Sequence, residues 1–333
     1  MKATRLLLTL SALVFSVAAH AEPIQWVTVG DPGNAADTDP AGYGAVSTSF
    51  RIMNYEFTNQ QYADFLNSVA ATDTYSLYNA NMGSNARGGI TQSGASGSYT
   101  YAVRPNMGDK PVNHVSWFDA ARVSNWYQNS ATSSSSTETG AYTLNGATTG
   151  NAPAVNNGAQ FYIPTADQWY KAAYYKGGGT NAGYWDYGTQ NDTVPSAVTA
   201  GGTGIGSAGS TGNFAYYGLG AEWNSQNGNV TTVGTNGGPS AYGAFDMSGN
   251  VLEWNDLTGA AGSSRGQRGG DWANDAFDLP SSYSRFAGPS DEAFLIGFRL
   301  AAPVAVPEPS TYAMALAGLA CGGYSMFRRR KRA

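Results

Sequence analysis

Apolar residues recur with helical spacing in three segments of the 333-residue chain and cluster as short strands in four others. In TNQQYADFLNSV, Tyr62, Phe65, Leu66 and Val69 fall at i, i+3, i+4 and i+7, one face of a helix that Thr58 would cap. SWFDAARVSNWY opens on Ser116 with Asp119 three residues later, and PTADQWYKAAYY pairs Thr165 with Gln168 after Pro164. Both spacings predict a capping box. IQWVTV, SFRIMNYEF, QFYIP and GFRLA are the strand candidates. Between them, the Gly/Ser/Thr/Ala-rich stretches 83–100, 129–158 and 177–212 read as long surface loops. Forty-three glycines and 21 tyrosines favour a turn-rich α+β domain over a helical bundle. No repeat and no dividing linker is visible, so one core is expected.

The two ends follow different rules. Lys2 and Arg5, an apolar run from Leu6 to Val17, and Ala19-His20-Ala21 form a secretory signal peptide cut after Ala21. At the other end, Tyr312–Phe327 is an uncharged apolar stretch followed at once by five basic residues. A spanning helix needs roughly 20 apolar residues, so this one is marginal as a permanent anchor. Its basic flank should stay cytoplasmic. Pro307-Glu308-Pro309, the short apolar helix and the Arg/Lys stop together resemble the PEP-CTERM sorting signal of Gram-negative bacteria. The resemblance implies an exosortase as processing partner, transient anchoring in the inner membrane, and delivery to the cell surface or extracellular matrix. The expected organisation is a signal peptide over 1–21, a single domain over 22–303 and a sorting segment over 304–333.

Trimming both ends changes the charge. Eleven bases and 22 acids remain, a net charge near −11, which argues against nucleic acid or an anionic membrane as partner. The single cysteine, Cys321, lies in the tail, so the exported domain has neither disulfide nor thiol nucleophile. His20 leaves with the leader, and His114 is then the only histidine. Metal sites built on two or three histidines are excluded. No G-x-S-x-G elbow accompanies a serine. What remains is an oxygen-ligand metal, carboxylate chemistry, or binding without chemistry.

Six blocks in order, MNYEFTNQQYADFLN, KPVNHVSWFDAARVSNW, FYIPTADQWYKAAYY, YGAFDMSGNVLEW, RGGDW and GFRLA, resemble the formylglycine-generating enzyme (sulfatase-modifying factor) family from Ile24 to Ala302. The resemblance implies an irregular single domain related to the C-type lectin fold and stabilised by calcium. One calcium site would use the Asp246 side chain, the Gly249 and Val251 carbonyls and the Glu253 carboxylate. Hard oxygen donors around a tight Gly-containing turn are what calcium prefers. A second would begin at Asn213 and Phe214, with Asn224 or Glu222 in place of its missing aspartate. The family's copper rests on two cysteines that correspond here to Asn274 and Leu279. An amide is a poor Cu(I) ligand and a leucine is none, so no copper and no cysteine-dependent oxidase reaction is expected.

Two function classes stay open. Asp271, Trp272, Asn274 and Asp275, with Asp278 and Arg285 nearby, would form a polar surface where the active groove should lie. That surface could bind a polysaccharide or a surface protein, or could support an atypical oxidoreductase site without thiolates. His114 lies in a block whose family counterpart is structural, so it is expected to be packed.

Because both ends carry address signals and no core, the mature protein should begin at or near Glu22 and lack the segment after Pro309. Intact-mass analysis of surface-extracted protein checks this. Retention of Tyr312–Ala333 would instead indicate a lasting anchor.

Overall fold

The structure, a computed structural model, describes residues 23–304. The leader, its cleavage site and the apolar helix expected over 312–327 lie outside the described residues. Among the described residues no helix is long and apolar enough to cross a membrane.

All three predicted helices form where their local signals place them. Helix α1 (Asn59–Val69) is capped by Thr58, whose hydroxyl accepts from the Gln61 N–H while Gln61 Oε1 accepts from the Thr58 N–H. Tyr62, Phe65 and Leu66 are buried, and Val69 packs at the edge of the same face. A single-turn helix, α2 (Asn81–Ser84), follows. Helix α3 (Trp117–Gln128) starts in the Ser116/Asp119 box, and α4 (Ala166–Tyr174) in the Thr165/Gln168 box. Helix α3 is buried over most of its length.

The strands are short. β1 (Trp26–Val29) and β2 (Phe50–Met53) pair antiparallel, and the final strand β13 (Ala301–Pro303) adds to β2, so the two ends of the domain close one sheet. A hairpin of β3 (Ile90–Ser93) and β4 (Thr100–Val103) occupies part of the stretch expected to be loop over 83–100. Two-residue ladders join β5 (Ser196–Ala197) to β6 (Phe214–Ala215), and β7 (Glu222–Trp223) to β8 (Gln226–Asn227). The second main sheet has the order β11 (Arg285–Ala287), β10 (Arg265–Arg268), β9 (Leu252–Asn255), β12 (Ile296–Gly297). Within it β12 runs parallel to β9 while β10 opposes both its neighbours.

Two strand candidates behave differently. QFYIP gives only one bridge, Tyr162 to Ala301. The next amide, Ile163 N–H, is taken by Tyr142 Oη, and Pro164 has no N–H to offer. GFRLA splits between β12 and β13 because Arg299, between them, turns its side chain into the core.

Apolar packing is concentrated in three larger clusters. In the first, Phe65 of α1 packs against Trp126 of α3 and Phe57 stacks on Phe298 at 4.9 Å, together with Leu252 and Trp254 of β9 and Ile296 of β12. Helix α4 places Trp169, Tyr170 and Tyr174 on Val29, Phe50 and Ile52. Tyr216, Trp223, Val251 and Trp272 form the third. Six of the eight tryptophans are buried, so indoles contribute little to any binding surface.

His114 is packed as expected, beside Phe294, but no hydrogen bond reaches its Nε2. Burial lowers its pKa from about 6.5 to about 4. The unfolded chain therefore takes up a proton that the folded protein refuses, and stability contributed by neutral His114 is lost as pH falls from about 6.5 to about 4. Urea unfolding of wild type and His114→Asn across pH 4 to 7.5 isolates this contribution from the buried carboxyls. Their stability difference should be flat above about pH 7 and shift toward the variant below 6.5. A difference that stays constant would mean His114 titrates freely.

Candidate functional site

The turn expected to cradle calcium is a buried crossing of chains. Gly249 has φ +94°, and a Cβ there would sit 2.3 Å from the Tyr216 carbonyl oxygen, so only glycine passes. The Gly249 N–H donates to Gly269 O, Asn250 N–H to Tyr216 O, and Trp272 N–H to Asn250 O. Val251 is enclosed in the third apolar region.

Glu253, in the middle of β9, is held by a residue on the far side of β12. Arg299 Nε donates to Glu253 Oε2 at 2.6 Å and Nη2 to Oε1 at 2.5 Å, both side chains being fully buried. Trp169 Nε1 adds a third donor to Oε2 at 2.8 Å. The remaining guanidinium N–H groups reach Met53 O and Phe245 O. Asp246, at φ +56°, accepts from Gly234 N–H on Oδ2 and from Asn236 Nδ2 on Oδ1. Burial raises the Asp246 pKa, although the Gly234 and Asn236 donors oppose the rise.

This arrangement does not fit a cation at Glu253. One carboxylate oxygen already takes two donors, and a guanidinium occupies the position of the positive charge. The second expected site fares no better. Asn213 Oδ1 accepts from Thr189 Oγ1 and its Nδ2 donates to Thr193 O, a loop clasp, while the Phe214 side chain is exposed and Gly237 is pressed on its carbonyl. Asn224 Nδ2 donates to Ala86 O, and Glu222 lies exposed on β7. Among the described residues, no three His, Cys, Asp or Glu side chains are placed to share a metal ion.

The segment after Gly270 also departs from expectation. Asp271 and Trp272 are not on the surface. Asp271 is buried, with Oδ1 accepting from the Ala273 and Asn274 N–H groups and Oδ2 from Asn274 Nδ2. Burial, abetted by Asp278, pushes its carboxyl up to about 6 against those donors. Trp272 lies beneath the Arg87 guanidinium, against Phe294, with Gly228 packed on its ring. Asn274 is half-buried by its bonds to Asp271, and only Asp275 is exposed.

What stands open is an apolar cleft that the sequence did not reveal. Tyr187 and Val194 from the long loop, Tyr217 after β6, and Asp275, Phe277 and Pro280 line about 400 Å³. A 3-10 turn, Ala276–Asp278, carries Phe277 at its tip with 86% of its surface exposed. Leu279 follows and is fully buried in a small apolar cluster with Ala215 and with Tyr187, one of the residues that line the cleft. The Gly218 N–H to Asn274 O and Leu219 N–H to Trp272 O bonds tie the segment before the turn to the neighbouring loop, and Tyr217 Oη is anchored on Pro195 O. The available signal was one phenylalanine in the otherwise polar run ANDAFDLPSS.

Comparison with known proteins places these features. The family described as sulfatase-modifying factor enzyme 1-like domain matches residues 26–304, and the PEP-CTERM protein-sorting motif matches 305–331. No curated protein matches. Among solved structures, CarF is 22% identical, with 85% of this chain and 99% of that one covered, at a TM-score of 0.48. Treponema denticola variable protein 1 is 17% identical over 86% and 98%, at 0.44. PvdO from Pseudomonas aeruginosa is 17% identical over 85% and 92%, at 0.42.

Arg299→Met should strand Glu253 as a buried carboxylate and cost about 3–5 kcal/mol. Urea unfolding at pH 7 measures it. A loss below about 1 kcal/mol would mean that something other than Arg299 balances Glu253.

Proposed function

The chain belongs to the sulfatase-modifying factor enzyme 1-like family, and from that premise we propose that it is an exported binding module without the family's cysteine-dependent oxidation. The PEP-CTERM motif implies export and processing by an exosortase at the membrane. Display at the cell surface or in the extracellular matrix is the destination we propose.

One observation carries this reading. Leu279, at one of the two positions that the family resemblance gives to copper thiolates, is fully buried in an apolar cluster with Tyr187 and Ala215. Asn274, at the other, spends its amide on Asp271. The only cysteine of the chain is Cys321, in the sorting segment, so no thiolate can be recruited by the exported domain. Neither a packed leucine nor an engaged amide can hold a soft metal.

The neighbouring cleft, which shares Tyr187 with that cluster, suits a neutral polysaccharide. Tyr187, Tyr217 and Phe277 supply flat apolar faces for the C–H faces of sugar rings, and the exposed Asp275 carboxylate can accept from hydroxyls. With a net charge near −11 after processing, a polyanionic ligand would be repelled.

The mature protein, given copper, oxygen and a cysteine-containing sulfatase-type peptide, should form no formylglycine by mass spectrometry. Turnover above a metal-free control would restore the reading of an oxidoreductase with a non-thiolate site. In affinity electrophoresis through neutral polysaccharides, Phe277→Ala should weaken retention about tenfold, equivalent to ~1.4 kcal/mol. Retention of wild type by no polysaccharide would shift the reading toward a surface protein as ligand.

A further inference from the structure

The sorting motif begins at residue 305, directly after Val304, where β13 leaves the domain. Seven residues, 305–311, separate Val304 from the apolar stretch that starts at Tyr312. Fully extended they span at most about 25 Å, less than the width of a domain of this size. While the tail sits in the bilayer, the β13 end of the domain is therefore the end held near the lipid. The tail falls short of the roughly 20 apolar residues of a span, and a marginal anchor gains most from a second contact.

The surface at that end has its own character. One side of the β1-β2-β13 sheet is covered by α4, through Val29, Phe50 and Ile52. The other side carries Trp26, Thr28 and Arg51, since Thr28 pairs with Arg51 and Trp26 lies two residues before Thr28. Arg51 Nε donates to the Pro303 carbonyl at 3.1 Å, next to the exit, and the guanidinium lies 5.2 Å from the centre of the Trp26 ring. Trp26 in turn meets Phe161 at 6.0 Å. All three side chains are half-buried, and Val304 keeps 36% of its surface exposed. Among the described residues no ion pair includes Arg51.

Charge separates this face from the rest. After processing the chain holds twice as many acids as bases, yet residues 23–29, 50–53, 156–163 and 300–304 together contain Arg51 and no acid. A net charge near −11 keeps acidic faces away from a lipid surface, so the face without acids is the one able to approach it. An indole and a phenyl ring beside an arginine suit the layer where headgroup phosphates meet acyl chains. The rings bury apolar area there, and the guanidinium finds phosphate.

We infer that Trp26, Arg51 and Phe161 form a foot that rests on the outer leaflet of the inner membrane while the sorting segment is still attached. Its partner is the phosphate and upper acyl layer of the lipid. Arg51 engages phosphate through its Nη groups, and the two rings enter the interface. The foot fixes the orientation in which the motif is offered for cleavage, and it lets go once the tail is cut, because three side chains alone hold a lipid surface weakly. This rests on processing at the membrane and is independent of what the cleft binds.

The test uses the full chain with its sorting segment, reconstituted into phosphatidylcholine vesicles whose acyl chains carry bromine near the headgroup, a short-range quencher of tryptophan emission. Flotation reports the anchor and quenching reports the foot. The tail contains no tryptophan and adds no signal of its own. Wild type should float and lose part of its emission, whereas Trp26→Phe should float equally and show no quenching. Trp185→Phe, which removes the other tryptophan that is not buried, should keep it. Arg51→Glu, which sets a carboxylate against phosphate, should abolish quenching without preventing flotation. Quenching that survives Trp26→Phe would put another face on the lipid and overturn the assignment. So would a wild type that floats unquenched, whose foot would then be left for a protein of the processing machinery. A chain that fails to float would remove the anchor and the foot together.

Discussion

Arg299 is the side chain on which the domain's parts converge. It lies between β12 and β13, clamps Glu253 of β9, and donates to carbonyls at Met53, where β2 ends, and at Phe245, before the Gly249 crossing. Both main sheets and the segment that leads into the crossing therefore share one buried cation. Strands of two to four residues cannot supply such cohesion from backbone ladders alone. Buried side chains do it instead. Asn250 joins Thr231 to Glu56, Asn125 joins Thr137 to Tyr142, and Asn59 holds the Met107 and Lys110 carbonyls. A chain rich in glycine and asparagine folds here because its amides act as internal donors for loops that have no sheet to join.

This explains what could be read in advance and what could not. The helices were legible because each is set by residues three or four positions apart, and each capping box is complete within one turn. The strands were legible as apolar runs, but their endings depend on remote partners, as Tyr142 shows by taking the Ile163 amide. The Asp246–Glu253 turn looked like a cation loop since carboxylates and glycines lie close together in sequence. Its actual partners, Arg299 and Trp169, are 46 and 84 positions from Glu253. Glu56 escaped notice for the same reason: nothing local distinguishes a carboxylate that will be buried beside Asn250, 194 positions away.

The segment after Gly270 divides its residues between frame and surface in a way that their polarity does not predict. Asp271 turns inward to close its own loop through Asn274, and Trp272 is sandwiched by Arg87 and Phe294, so both serve the frame. Polar composition made that segment look like a binding surface. The open wall is built instead from apolar residues contributed by three separate loops, a juxtaposition that local sequence does not encode. Phe277 stands exposed at the lip of that wall, while Leu279 two residues on is fully buried.

The absence of a cysteine from the exported domain sharpens the role of its buried charges. Buried ion pairs are weak evidence of stability, because desolvation offsets much of their attraction. Their contribution here is to strand register. On β9, Glu253 lies opposite Arg268 on one side and Gly297 on the other, and Asp256, just past the strand, meets Arg265 of β10 at 2.6 Å. A slip of one residue would turn Glu253 to the opposite face and leave Arg299 buried without its carboxylate. Such a slip costs a two-residue strand like β12 little in backbone hydrogen bonds but costs the core an unpaired charge. The ion pairs therefore select one register among several that the backbone alone would barely distinguish, and that register sets Gly269 against Trp169 and Gly270 against Leu279.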